Sequence, residues 1–98
     1  MYGTVARMKV KPGKIDELIA FSKEFASRHR PKGYLGENIY RLDSDQNQVL
    51  MAVVFQDKGS YQANANDPEM AKQYQRYRAL LEADPEWNDG EIIFSFPA

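Results

Sequence analysis

The sequence predicts an α+β fold of the ferredoxin-like type. An antiparallel four-stranded sheet carries its helices on one face and pairs with a second copy through the other. Three observations carry this. The hydrophobic patterns follow one another in the order β-α-β-β-α-β, the split βαβ arrangement. Residues Val49 to Phe55 read V-L-M-A-V-V-F, an unbroken apolar run of strand length. Residues Glu91 to Phe96 (E-I-I-F-S-F) are again apolar on both faces. Alternate side chains of a strand point to opposite faces. Val49, Met51, Val53 and Phe55 therefore face one way and Leu50, Ala52 and Val54 the other, and both rows need cover. Helices cover one face, and a second copy of the chain is the simplest cover for the other.

The elements follow in order. Tyr2 to Lys11 alternates, with Thr4, Ala6, Met8 and Val10 on one face and Val5, Arg7, Lys9 and Lys11 on the other. Pro12-Gly13 stops this strand. Lys14 to Arg30 has a helical period, with Ile15, Leu18, Ile19, Ser22, Phe25, Ala26 and His29 on one stripe. Acidic Asp16 and Glu17 open the helix and basic Arg28 and Arg30 close it, as the helix dipole favours. Pro31-Lys32-Gly33 ends it. Tyr34 to Leu42 reads as a second strand, weakened by Gly36 and the polar Glu37 and Asn38. The turn Asp43-Ser44-Asp45-Gln46-Asn47 joins it to the apolar third strand as a hairpin.

Asp57 to Asn64 reads as a short helical turn. Asp67-Pro68-Glu69 starts a helix, with a side-chain acceptor at the N-cap and proline at the first helical position. That helix is predicted to run to about Ala83, with Met70, Tyr74, Tyr77 and Leu81 on its inner stripe, flanked by Leu80 and Ala71. Asp84-Pro85 ends it. Trp87 anchors the approach to the last strand, Glu91 to Phe96.

Composition narrows the function. The 98 residues fit one domain, and 43% hydrophobic with 28% charged residues is ordinary for a folded globule. A net charge of −1 lacks the basic stripe that nucleic acid requires. No apolar stretch approaches the ~18 residues of a membrane span, and no signal pattern opens the chain. A cytoplasmic protein with no nucleic-acid or membrane partner is the reading. With no cysteine and one histidine, the chain has no means of building a usual soft or borderline metal site, so no metal is expected.

Over nearly its whole length the chain resembles the antibiotic biosynthesis monooxygenase superfamily, the dimeric α/β-barrel group. The resemblance rests on Val10-Lys11-Pro12-Gly13-Lys14 after the first strand and Pro31-Lys32-Gly33-Tyr34-Leu35-Gly36 leading into the second. It rests also on Val54-Phe55-Gln56-Asp57-Lys58 after the third, and on Asp84-Pro85-Glu86-Trp87-Asn88-Asp89-Gly90-Glu91 leading into the fourth. These motifs mark architecture rather than catalysis. The resemblance implies a homodimer whose sheets form a common barrel, and in each subunit a pocket between sheet and helices for a small apolar or aromatic ligand. It implies a cofactor-independent monooxygenase of a small aromatic, phenolic or quinol substrate. The alternative is a non-catalytic homodimeric protein of the same fold that binds a small ligand or serves under stress. The haem-degrading branch is a poor match. Its first-strand asparagine falls on Ala6, its tryptophan after the third strand on Asn64, and its haem-ligating histidine on Tyr74.

Site candidates follow from that alignment. Thr4, Ala6 and Met8 floor the pocket, and Tyr61 and Tyr77 add to its substrate-binding wall. Asn64 either ends its helix in left-handed geometry or orients a substrate oxygen. Tyr74 has a hydroxyl that needs a partner if buried. In cofactor-free oxygenation, Asn64 and Tyr74 donate to a developing oxyanion, and His29 or a water takes the substrate proton. His29 is the only side chain whose unperturbed pKa lies near neutrality.

Overall fold

A computed structural model of the protein describes residues 1–28 and 30–97. His29, expected above to accept a proton, lies outside them. The order is β1 (Tyr2–Lys9), α1 (Ile15–Arg28), β2 (Tyr34–Arg41), β3 (Gln48–Phe55), α2 (Lys58–Ala65), α3 (Pro68–Arg78) and β4 (Asp89–Glu91). The strands form one antiparallel sheet in the order β2-β3-β1-β4. This is the ferredoxin-like α+β fold, with the expected helical turn after β3 grown into a helix of eight residues.

The alternating patterns decide which face is covered. Ala6, Met8 and Val10 meet Leu18 of α1, Val49 of β3 and Leu81 in one buried cluster. Ile15, Ile19, Ile39 and Met51 pack against it. On the opposite face Val5 is 46% exposed and Tyr40 57%, beside the half-buried Leu50, Ala52 and Val54. At Gly3, in one of the two central strands, any Cβ would collide with the Val53 carbonyl oxygen of the other. Gly33 takes a φ of +84°, and its turn is closed by the Tyr34 N–H donating to the Pro31 carbonyl at 3.1 Å. That turn delivers Tyr34 to the helix face.

Both later helices are capped by an aspartate, the second as its sequence predicts. The Asp57 carboxylate accepts from the Ser60 N–H at 2.7 Å, and the Asp67 carboxylate from the Glu69 N–H at 2.9 Å. Two boundaries differ from expectation by more than two residues. The last helix stops at Arg78 rather than Ala83. Beyond it the backbone turns into the sheet: the Lys11 N–H donates to the Leu80 carbonyl, the Glu82 N–H to the Lys9 carbonyl, and Leu81 lies 1% exposed beside Val10. Burying Leu81 against β1 outweighs continuing the helix. The last strand is Asp89–Glu91, not Glu91–Phe96. Tyr2 pairs with Glu91 and the Met1 carbonyl accepts from the Ile92 N–H. There β1 ends, so Ile93, Phe94 and Phe96 have no strand to pair with and are 90%, 81% and 87% exposed.

Candidate functional site

Between the helix face of the sheet and the three helices lies a cavity of about 780 Å³. That size suits a small organic ligand, for which about 300–1,000 Å³ is usual. The floor comes from the sheet: Thr4 and Met8 of β1, Glu37 of β2, and Met51, Val53 and Phe55 of β3. The walls are Phe21, Ser22 and Phe25 of α1, Tyr61 and Asn64 of α2, and Met70, Tyr74 and Tyr77 of α3, closed by Tyr34, Trp87 and Asp89. Aromatic rings support one another around it. Tyr34 and Tyr61 both meet Phe55 edge-on, at 5.7 and 5.5 Å between ring centres, Phe21 meets Tyr77 at 5.6 Å, and Tyr74 meets Trp87 at 6.3 Å.

Of the residues selected from sequence, the structure brings Thr4, Met8, Tyr61, Asn64, Tyr74 and Tyr77 to this cavity. Ala6 is corrected: it is fully buried in the core cluster and does not line the cavity, because its single methyl group is covered by the packing around it. Asn64 lies in the last turn of α2 and not in a left-handed cap; no described non-glycine residue has positive φ. Its carbonyl accepts from the Asp67 N–H. Its side-chain amide and the Tyr74 hydroxyl have no hydrogen-bond partner among the described residues, and both groups border the cavity.

Three hydroxyls in the wall are held by neighbours. Tyr77 lies 3.4 Å from the Ser22 hydroxyl and donates toward the Met51 sulfur at 3.8 Å. Burial pushes its pKa up to about 12. Tyr61 donates to Asp89 Oδ1 at 2.8 Å, and burial together with that carboxylate also pushes it up to about 12. Tyr34 donates to Glu37 Oε1 at 3.1 Å and is raised to about 12 by burial and by Glu37. All three therefore stay protonated at neutral pH and serve as donors, not as bases.

Glu37 is the functional candidate that sequence reasoning missed. Its carboxyl is half-buried in the cavity floor, and burial raises its pKa above the ordinary glutamate value while the Tyr34 hydrogen bond opposes that rise. A bulge explains its position. In β2, Tyr34 pairs with Phe55 and Gly36 with Val54, so Leu35 is the extra residue. Tyr34 and Glu37, three apart, would face opposite ways in a regular strand, and the bulge puts them on the same face. The available signal was the spacing of Glu37 to Ile39: two residues apart, they share the inner face.

Metal chemistry has no local donor set: no group of three or more His, Cys, Asp or Glu that could hold an ion occurs among the described residues. No described helix is long and apolar enough to cross a membrane.

Comparison with known proteins places this geometry. The family model described as "Antibiotic biosynthesis monooxygenase" matches residues 1–79. No curated protein matches the sequence. Among solved structures, SnoaB of Streptomyces nogalater, described as a cofactor-independent oxygenase, superposes with a TM-score of 0.78 at 18% identity, over 99% of this chain and 97% of its own. A conserved protein of Methanosarcina mazei Go1 gives 0.78 at 19% identity, over 91% and 89%. A protein of Chloroflexus aurantiacus J-10-fl, named provisionally for the same family, gives 0.77 at 24% identity, over 96% and 94%. At these identities the likenesses show the shared fold.

Proposed function

The chain belongs to the antibiotic biosynthesis monooxygenase family, and from that premise we propose that its cavity houses a cofactor-independent monooxygenation of a small phenolic or quinol substrate. The observation that carries this reading is the cavity itself: aromatic walls, a half-buried carboxylate in the floor and two hydrogen-bonding groups, Asn64 and Tyr74, left for a ligand. SnoaB, of the same fold, is a cofactor-independent oxygenase, which supports the reaction type.

Each residue has a role. The substrate ring lies among Phe21, Tyr74 and Trp87. Its hydroxyl gives its proton to the Glu37 carboxylate, and the electron pair stays on the substrate oxygen. Asn64 and Tyr74 donate to that oxyanion, and the aromatic walls keep water from it. The electron-rich anion then reacts with O₂. On an anthrone-like ring reacting as its enol, one oxygen atom becomes the new carbonyl on the opposite ring carbon, and the other leaves as water with that carbon's hydrogen and the proton returned by Glu37. His29 is the alternative proton acceptor, and a Glu37→Gln variant separates the two.

The second copy belongs to the same proposal. Val5, Leu50, Ala52, Val54 and Tyr40 make an apolar face that no helix covers, and the exposed tail from Ile93 to Phe96 continues beyond it. Covering several hundred Å² at about 25 cal/mol per Å² drives association strongly, so the protein is a homodimer closed sheet to sheet.

The test is oxygen uptake by haem-free, metal-free protein with anthrones and quinols, corrected for autoxidation. Saturable uptake that falls in Asn64→Ala and in Tyr74→Phe, with assembly unchanged, is the expected result. Unchanged rates in both variants remove the site assignment. No uptake with any substrate, alongside tight ligand binding, replaces the enzyme by a binding protein.

A further inference from the structure

Four residues that line the cavity form one row across the sheet. Glu37 of β2 pairs with Val53 of β3, Val53 with Thr4 of β1, and Thr4 with Asp89 of β4. All four line the cavity. Neighbouring strands are about 4.8 Å apart, so the backbones of Glu37 and Asp89 are separated by about 14 Å. The row thus has a carboxylate at each end and an apolar valine near its middle.

Both ends are built to accept hydrogens. Glu37 takes one hydrogen bond from Tyr34, and Asp89 takes one from Tyr61. A carboxylate has about four acceptor positions, so each retains room for a ligand donor. Thr4, only 5% exposed, has a hydroxyl that makes no close hydrogen bond, its polar contact being a loose one to the Tyr61 hydroxyl, next to Asp89 in the row. A buried hydroxyl so weakly paired is costly, and a bound ligand group at that end would relieve it.

The cavity lining carries charge of one sign: among the described residues that line it, Glu37 and Asp89 are acidic and none is lysine or arginine. Two cations lie outside the lining: Arg30 borders a smaller depression beside Pro31 and Asn64 and acts on the Tyr34 hydroxyl electrostatically, and Arg76 stacks on the Phe21 ring at 4.6 Å.

We propose that this row selects a neutral, planar, fused-ring diol, one hydroxyl donating to Glu37 and the other to Asp89 and Thr4, and that it rejects ring ligands bearing carboxylate or other anionic groups. The inference rests on the cavity being the substrate site and adds to it the substrate's charge and the placement of its hydroxyls. Planarity follows from the aromatic walls, the two-ended placement from the register, and the rejection of anions from two carboxylates with no cation between them.

Calorimetric titration near neutral pH tests this without any oxygenation. The probes are a naphthalene diol with hydroxyls at opposite ends of the ring system and the naphthalene dicarboxylate of the same substitution. The diol is expected to bind the native protein at least about tenfold more tightly, equivalent to about 1.4 kcal/mol. In the double variant Glu37→Gln, Asp89→Asn the preference is expected to fall to about threefold or less, because amides keep the acceptor oxygens and lose the charge. Equal affinity of the native protein for both probes overturns the selectivity and leaves the cavity reading standing. An undiminished preference in the double variant likewise overturns it. Failure of both probes to bind the native protein overturns this inference together with the substrate-site reading. The native ratio alone decides the matter if the double variant does not fold.

Discussion

Replacing Tyr34 by phenylalanine isolates how the wall tunes the proton acceptor. The tyrosine hydroxyl donates to Glu37 Oε1 at 3.1 Å, and its ring packs edge-on against Phe55 at 5.7 Å. Phenylalanine keeps the ring and removes only the hydrogen bond. That bond favours the charged carboxylate, whereas burial disfavours it. Hydrogen bonds to charged groups contribute about 1.5–3 kcal/mol. Because Glu37 is half-buried, the low end applies, about 1.5 kcal/mol, or somewhat more than tenfold in its protonation equilibrium. A base acts only when ionised, so the native rate of oxygen uptake should rise with pH through a limb above the ordinary glutamate range and then level. In Tyr34→Phe the limb should move to higher pH. The rate should drop about tenfold below it and match the native rate on the plateau. Glu37→Gln should lose about 10²–10⁴-fold on the native plateau and have no such limb. A constant loss across pH in Tyr34→Phe would show that Tyr34 touches the substrate rather than acting through Glu37. A Glu37→Gln variant within about threefold of native would refute the base assignment.

Further outcomes follow from the fold. The raised pKa of Glu37 means its contribution to stability is full below the ordinary glutamate value and is lost as pH rises through the folded value. Glu37→Gln should therefore melt higher than the native protein near neutral pH, with the gap closing at about pH 4; a gap that widens on acidification would contradict the assignment. Leu81, 1% exposed, is the residue that turns the chain from α3 into the sheet. Leu81→Ala should cost about 2–5 kcal/mol in urea denaturation, against less than about 0.5 kcal/mol for a surface change such as Lys72→Ala. Sedimentation should find a dimer at micromolar concentration, weakened when Phe94 and Phe96, both exposed in the single chain, are changed to aspartate. A native monomer under those conditions would remove the second copy from the proposal.

Much of the architecture was legible because it depends on short-range periodicity. Alternation at Thr4, Ala6 and Met8 and the helical stripe through Ile15, Leu18 and Ile19 each reflect burial of one face, which a linear pattern records. Asp67 marked a helix start because capping is local. The same patterns put Tyr74 and Tyr77 on the cavity wall, to which the family resemblance added Asn64. They misplaced the end of α3 and the extent of β4, where the outcome depends on what the chain meets rather than on what it is. Leu81 continues the helical stripe in sequence but docks beside Val10, and Phe94 and Phe96 alternate like a strand but run past the start of β1.

By itself, then, the sequence determined the element order, the covered and uncovered faces of the sheet, the family and three of the cavity's aromatic residues, Tyr61, Tyr74 and Tyr77. The tertiary structure alone decided the chemistry of the floor. A single bulge residue, Leu35, brings Tyr34 and Glu37 to the same face, and strand register aligns Glu37, Val53, Thr4 and Asp89 in one row. Register between strands far apart in the chain is set by pairing across space, and one residue more or less reverses which side chains face inward. No local pattern in 98 residues records that choice, and it is the choice that puts two carboxylates at the ends of the row.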